Sequence, residues 1–385
     1  MVSDYLDHNA TTALDERVLA TMEPYLQGAV GNPSSVHRYG RQARAAIDQA
    51  REQVAALLGV RPTQVVFTSG GTEANNLALK GLAASGPLAP GHLIIGSTEH
   101  PSVIQSALAL QRQGWKVEKL AVDNQGRICL DQLADQLRDD TRLVSLMMAN
   151  NETGVITDMA AVSAVIREHA AVLHCDAVQA LGKMQVDFSL TGVDAMSLSA
   201  HKIYGPGGIG ALIIDPGLEL LPLLHGGGQE FGLRAGSENT AAIVGFGHAA
   251  ELAAAEWPER QGRMLTLRQR LEQQLQASQP ELVIFSQQAE RLSNTVYFAL
   301  PMIDGETLVM ALDEDGFAVA SGSACSSRDN APSHVLLAMG VDADLARCAI
   351  RVSLGTQNNT GDVDRFVDSL KRQVHKLSSK AALAW

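Results

Sequence analysis

Apolar side chains recur along this chain in two rhythms, and the changes from one to the other mark its elements. Between residues 41 and 58, Ala43, Ile47, Ala50, Val54, Leu57 and Leu58 fall on one face of a 3.6-residue period. Gly59 follows as a stop, which predicts an amphipathic helix. From residue 65 short apolar runs take over, near 65–68, 92–96, 116–121, 142–148, 171–175 and 194–198, with helical patterns in most of the gaps. Strands alternating with helices predict a largely parallel sheet covered on both faces. The runs near 194–198 and 209–214 lie too close for a crossover helix, so they are expected to pair antiparallel through the loop that carries Lys202. Beyond about residue 250 the rhythm changes again. A polar helix is expected from near Trp257 to Gln276, then short strands around 282–285, 293–298 and 348–353 mixed with helices. The reading is an α/β protein in two parts, a large domain over 15–255 and a smaller α+β domain built from 1–14 and 256–385. No internal repeat or low-complexity linker separates them, so they are expected to pack closely.

Composition narrows the partners more than the fold. The 385 residues are 46% apolar and 19% charged, enough for a large core. A formal net charge of −12 argues against nucleic acid or an anionic membrane as the main partner, since either calls for a basic face. The opening Met1 to Asp7 is acidic, and no apolar run reaches the length of a membrane span, so a cytoplasmic protein is expected. Cys129, Cys175, Cys325 and Cys348 are scattered without metal-ligand spacing, which predicts free thiols and no metal site.

Chemistry gathers where apolar runs end. Ser199-Ala200-His201-Lys202 closes one of them. A lysine at the end of a buried strand can carry an aldehyde cofactor as a Schiff base, although alone it could equally lie on the surface. Asp176 closes another run, and pyridoxal phosphate (PLP) needs such a carboxylate facing its ring nitrogen. A capping or ion-paired aspartate is the plainer alternative. Ser69-Gly70-Gly71-Thr72-Glu73 joins a strand to a helix, and its exposed N–H groups either seat a phosphate or form a tight turn capped by Thr72. Gly205 to Gly210 fits a dinucleotide-binding spacing, but a strand follows it instead of a helix, which excludes a nicotinamide enzyme. His100 and Asn151 follow two further apolar runs at the same predicted edge, one suited to stacking and proton transfer, the other to hydrogen bonding a ring oxygen or a carboxylate.

Further stretches complete an ordered set: Tyr5-Leu6-Asp7 through Ala10-Thr11-Thr12, Gly31 to Ser35, Asn150 to Gly154, Gly226 to Glu230, Arg234 to Asn239, and Ser321-Gly322-Ser323-Ala324-Cys325. With these, the chain resembles almost end to end the cysteine desulfurases of the nitrogen-fixation and iron-sulfur-cluster type, within the class V aminotransferase group of PLP enzymes. The resemblance implies a PLP-dependent transferase of fold type I with a mostly parallel seven-stranded sheet. Lys202 would hold PLP and later carry the Cα proton, Asp176 would pair with the ring nitrogen, and Gln179 would hydrogen-bond the ring hydroxyl. His100 would stack on the ring and serve in acid–base steps. Gly71, Thr72, Ser199 and His201 would hold the phosphate, joined by Ser237 from the other subunit of a homodimer. Arg351, with Asn151, would clamp the substrate carboxylate.

Cys325 selects the reaction that the resemblance implies. A transaminase needs no thiol there, whereas a desulfurase needs one to take the sulfur of L-cysteine as a persulfide and leave L-alanine. The small, hydroxylated surroundings from Ala320 to Arg328 suit a mobile loop. Cys175 and Cys348 lie inside apolar patterns and are expected in the core. Two departures from the family stand out. Asp329-Asn330-Ala331-Pro332 replaces the Leu-Glu-Pro of many relatives, and the sequence ends at Trp385 without the longer extension by which housekeeping members engage a cluster scaffold. The protein sulfur acceptor, an iron-sulfur scaffold or another carrier, is therefore open. The alternatives weighed are a selenocysteine lyase, a class V aminotransferase, and a sulfur-relay scaffold that has lost catalysis.

Overall fold

Three sheets, of seven, four and two strands, divide the strands of this computed structural model, which describes residues 4–28, 31–85, 89–322 and 331–383. After a two-residue strand β1 (Asp4–Tyr5), the large sheet is made by β2 (Val65–Thr68), β3 (His92–Gly96), β4 (Lys116–Leu120), β5 (Thr141–Met147), β6 (Val172–Asp176), β7 (Ala195–Ser199) and β8 (Gly210–Ile214). Their order is β2-β8-β7-β6-β5-β3-β4. The pairings from β4 through β7 are parallel, and β8 is antiparallel to both β7 and β2. The largely parallel sheet expected from the alternating pattern is thus present, with the seven strands that the resemblance implied and the antiparallel pair that brackets Lys202.

Strand periodicity builds a core on each face of this sheet. Val65, Phe67, Ile94, Ala211 and Ile213 join Ile47, Val54, Phe246 and Ala250 on one face. Val66, Leu93, Ile95, Leu212 and Ile214 join Leu77, Val103 and Leu110 on the other. Between β7 and β8 a single turn, Ala200–Lys202, reverses the chain. Tyr204 there takes a positive φ of 67°, stabilised by its N–H donating to Thr12 Oγ1 at 2.8 Å. Gly205 is needed beside it, because a Cβ would sit 2.9 Å from the Ala200 carbonyl oxygen.

The small sheet comes from β9 (Val283–Ile284), β10 (Thr295–Ala299) and, after β11 (Phe317–Ala318), β12 (Ala320–Ser321) and β13 (Ala349–Ser353), in the order β12-β13-β10-β9. β1 pairs with β11, which brings Leu6 into the same core as Val296, Phe298, Ile350 and Val352. Alternation turns Tyr297 and Ala349 to the opposite face, toward Val335 and Leu336. Arg351, in register with Tyr297, shares that parity and is kept out of the apolar core.

One expectation is corrected. The helix anticipated from near Trp257 begins at Thr240 and runs unbroken to Ser278, so the expected domain boundary at 255/256 falls inside it. Ala242, Ile243, Phe246 and Ala249 pack on the large sheet, whereas Met264, Leu267, Leu271 and Leu275 pack on the small one. Pro258 lies within the helix and removes one N–H, at a typical cost of about 3 kcal/mol, which burial of both ends offsets. Among the described residues no helix is long and apolar enough to cross a membrane.

Candidate active site

The carboxyl ends of the parallel strands open onto one cavity of about 390 Å³. This is where open α/β sheets place their ligands, because helix N-termini and loop backbone converge there. β6 brings Asp176 to the cavity and β7 brings Ser199, followed by His201 and Lys202. The turns after β2, β3 and β5 supply Gly71 and Thr72, His100, and Asn151 respectively. Gln179 and Arg351 also line it. Ten of the residues expected from sequence are therefore brought together, from positions as far apart as 71 and 351.

A hydrogen-bonded chain links three of the polar groups. Asp176 Oδ2 accepts from Asn75 Nδ2 at 2.7 Å, and its Oδ1 accepts from the Val178 N–H at 3.0 Å. Asn75 Nδ2 also donates to Ser102 Oγ at 2.8 Å. Ser102 Oγ lies 2.8 Å from His100 Nδ1, and the Ser102 N–H donates to the same nitrogen at 3.1 Å. Nδ1 is thus the acceptor, so the ring proton belongs on Nε2. Burial, reinforced by the charges of Lys202 and His334 and opposed by Asp176, holds the His100 pKa below its ordinary value, and the ring is neutral at neutral pH. Behind this chain, Glu99 is 1% exposed and accepts from the Met147 N–H at 2.8 Å. Burial first, then the Asp176 charge, pushes its carboxyl well above the usual range.

Lys202 is held by the N-terminal segment. Its Nζ donates to the carbonyls of Asn9 and Ala10, each at 2.6 Å. Asn9 is a buried hub: its carbonyl also accepts from Gln179 Nε2 at 2.9 Å, and its Oδ1 from Lys183 Nζ at 2.9 Å. Its Nδ2 reaches the Asn151 carbonyl at 3.1 Å and Thr295 Oγ1 at 2.9 Å. Arg351 donates to Asp7 Oδ1 at 2.5 Å and to the Asn151 carbonyl at 3.0 Å. Its Nε is buried with no hydrogen-bond partner among the described residues. Asn151 therefore meets Arg351 through its backbone.

Gly71 and Thr72 begin the helix Gly71–Ser85, whose leading amides have no acceptor within the helix. Only glycine fits at 71, because a Cβ would lie 2.8 Å from Val178 Cγ2. His201, with Nδ1 3.1 Å from Thr11 Oγ1, has its pKa lowered to about 4 by burial and then by Lys202 and Lys183. Ser237 stands apart. It lines a separate hollow of about 180 Å³ beside Phe67, Thr68 and Arg234, and is not among the residues facing the cavity of its own chain.

Cys325 lies outside the described residues. The chain on either side is tied near the cavity: the Gly322 N–H donates to the Ala349 carbonyl at 3.1 Å, and His334 Nε2 donates to the Glu99 carbonyl at 3.0 Å. Ser333 Oγ donates to Glu152, a buried carboxyl that also accepts from the Tyr297 hydroxyl at 3.2 Å. Cys175 and Cys348 are buried, as their apolar surroundings suggested, and Cys129 is half-buried. Among the described residues no group of three or more His, Cys, Asp or Glu is placed to hold a metal ion.

Asn9, Asn75, Lys183, Glu99 and Glu152 received no role in the sequence reading. Asn75 carries the clearest signal, an amide among Ala74, Leu77 and Ala78 on a buried helix face. Lys183, directly after Leu181 and Gly182, carries a weaker one.

Comparison with known proteins gives consistent relatives. The family model described as Aminotransferase class-V matches residues 4–366. A protein named cysteine desulfurase IscS 1 from Archaeoglobus fulgidus is 43% identical over 379 residues, covering 98% of this chain and 99% of the relative. Cysteine desulfurase IscS of Dictyoglomus turgidum is 40% identical over 373 residues, covering 97% and 95%. Among solved structures, a NifS-like protein superposes with a TM-score of 0.91 at 37% identity, covering 97% of this chain and 99% of that one. SspA in complex with cysteine gives 0.81 at 35% identity, covering 91% and 99%.

Proposed function

The chain belongs to the aminotransferase class-V family and, within it, to the cysteine desulfurases, and on that premise we propose that it converts L-cysteine to L-alanine and passes the sulfur on as a persulfide of Cys325. The sulfur would feed iron-sulfur cluster or other thio-cofactor assembly. The observation that carries this reading is the single cavity in which Asp176, Lys202 and Arg351 meet.

The residues fit PLP. The glycine at 71 leaves the helix N-terminus open where any Cβ would strike Val178, which suits a phosphate held by Gly71, Thr72, Ser199 and His201. Asp176, already oriented by Asn75 and the Val178 amide, would face the ring nitrogen, and Gln179 would donate to the ring oxygen. The unpartnered Nε of buried Arg351 suits the carboxylate of an amino acid, which a guanidinium grips through two parallel bonds. When bound, PLP supplies an aldehyde for the amino group and a protonated ring that accepts the electron pair released at Cα.

Lys202 Nζ would take the Cα proton and return it. Its hydrogen bonds to the Asn9 and Ala10 carbonyls keep the amine at the cavity wall between these transfers. His100, which lines the cavity, would stack on the ring, exclude water and exchange protons through Nε2. The Cys325 thiolate would attack the substrate Sγ: an S–S bond forms, the Cβ–Sγ bond breaks, and its electron pair stays on Cβ, where a proton completes L-alanine. The protein sulfur acceptor then removes the terminal sulfur.

In this reading two copies form a homodimer, and Ser237, which faces away from its own cavity, reaches the phosphate seat of the partner. Residues 1–14 and 256–385 would form the smaller domain, which carries both Arg351 and Cys325, and 15–255 the larger, which carries Lys202, with the helix Thr240–Ser278 running through both.

The test is the stoichiometry of sulfide and alanine released from L-cysteine by the PLP-loaded protein with a thiol reductant, alongside Cys325→Ala. Equal release, lost in the variant, supports desulfuration through Cys325. A cofactor-bound protein that forms alanine only with an added keto acid is an aminotransferase, and one that prefers selenocysteine is a lyase for that substrate.

A further inference from the structure

We propose that Lys183 is a positioning residue for the cofactor-facing amide of Gln179. The inference rests on the reading that the cavity takes PLP and goes beyond it by assigning a group outside that cavity. Lys183 Nζ donates to Gln179 Oε1 at 2.6 Å and to Asn9 Oδ1 at 2.9 Å. Gln179 Nε2 in turn donates to the Asn9 carbonyl at 2.9 Å. A lysine ammonium has only hydrogens to offer and a backbone carbonyl only lone pairs, so between Lys183 and the Asn9 carbonyl the amide of Gln179 can sit one way round. Its oxygen is tied to Lys183, and its nitrogen keeps a second N–H for the cavity that Gln179 lines.

Without Lys183 the flipped amide loses one partner fewer, and an acceptor oxygen could then face the ring oxygen of PLP, where two acceptors repel. Burial, with Lys202 and Arg351 adding to it, pulls the Lys183 amine well below its ordinary pKa. A neutral amine still has two N–H groups, and the two acceptors use both. Arranged so, Lys183 donates to the Gln179 oxygen in either charge state, while the Asn9 carbonyl, which can only accept, holds the amide nitrogen. Partners that orient a ligating side chain typically contribute 10–100-fold to affinity or activity in metal sites, and the same geometry argument applies to an organic cofactor.

The experiment uses the full-length enzyme purified with its PLP, as wild type, Lys183→Met, Gln179→Met and the double variant. Two readouts serve: the pH midpoint of the visible absorption band, and the rate at which PLP is lost on dialysis into cofactor-free buffer. Lys183→Met is expected to speed PLP loss about tenfold and move the midpoint in the same direction as Gln179→Met, with the double variant no different from Gln179→Met alone. Additive shifts, which a direct charge effect of Lys183 on Lys202 would give, overturn the proposal. So does a Lys183→Met enzyme indistinguishable from wild type. Lys183→Gln, milder for folding, is read against Gln179→Met in the same cycle, and the same non-additivity is expected. A wild type that binds no PLP overturns the cofactor reading itself, an outcome separate from the other two.

Discussion

Acid is expected to act first on the middle of the large sheet. His174, on β6, is 0% exposed, with Nδ1 2.8 Å from Ser145 Oγ on β5 and Nε2 2.9 Å from Ser197 Oγ on β7. Burial alone lowers its pKa from 6.5 to about 3. The sign follows from linkage. Below pH 6.5 the unfolded chain binds a proton that the native imidazole refuses, so the stability is present above 6.5 and is lost as pH falls toward 3. At pH 5.0 the loss from this residue is about 2 kcal/mol, or ~1.36 kcal/mol for each of the roughly 1.5 pH units crossed. His8, lowered to about 4 chiefly by burial, acts in the same direction. His174→Gln keeps a donor and an acceptor at the site but cannot titrate. The assay is proton uptake on urea unfolding at pH 5, together with stability between pH 7.5 and 5. The variant is expected to take up about one proton fewer than wild type and to lose about 2 kcal/mol less stability over that interval. Equal uptake by the two proteins would refute the reasoning, because it would mean that the buried ring is already charged.

Four further substitutions probe the site and its frame. Arg351→Lys removes the planar fork, and the loss of a charge-assisted bond of about 1.5–3 kcal/mol should raise KM for L-cysteine roughly 10–100-fold with a smaller change in kcat; a fall in kcat at constant KM would count against a carboxylate clamp. Lys202→Ala should fold yet turn over no L-cysteine, and appreciable alanine formation by it would remove Lys202 from the mechanism. Gly71→Ala places a Cβ 2.8 Å from Val178 Cγ2, so PLP retention on dialysis should fall, while Gly71→Ala with Val178→Ala recovers part of it; undiminished retention would move the phosphate seat elsewhere. Arg51→Met breaks a buried pair with Glu230, 2.7 Å at both contacts, and should cost about 3–5 kcal/mol of unfolding free energy, whereas Arg51→Met with Glu230→Leu should cost much less; equal losses would mean that the charges are not the issue.

What the sequence made legible was local. Period-two alternation separates Val66 from Val65 and Phe67 onto opposite faces, and the missing crossover between β7 and β8 announced an antiparallel turn at Lys202. The helix from Thr240 escaped because its first half buries alanine and glycine, which leave little hydrophobic contrast, and because Trp257-Pro258 resembles a start. Asn75 and Lys183 escaped for another reason. Each is fixed by a residue far away in sequence, Asn75 by Asp176 and Lys183 by Asn9, separations of 101 and 174, although Lys183 also meets Gln179 four residues before it. No periodicity encodes such a pairing.

Arg351 joins the two kinds of legibility. A charged residue inside an apolar strand was visible from sequence, and it called for an anionic partner. Which face it would take depends on the register of β13 against β10, where Tyr297 stands opposite Arg351 while Val296 and Phe298 fill the apolar core. A slip of one residue would turn the guanidinium into that core and Ile350 toward the cavity. The same strand pairs with β12, so Ala320 lies opposite Arg351 and the chain leaves toward Cys325 from beside the group proposed to hold the substrate. The face that Arg351 takes and the position of β12, the last strand before Cys325, are thus set by one antiparallel sheet. A substitution that disturbs β10, such as Phe298→Ala with its loss of about 3–5 kcal/mol, acts on both at once.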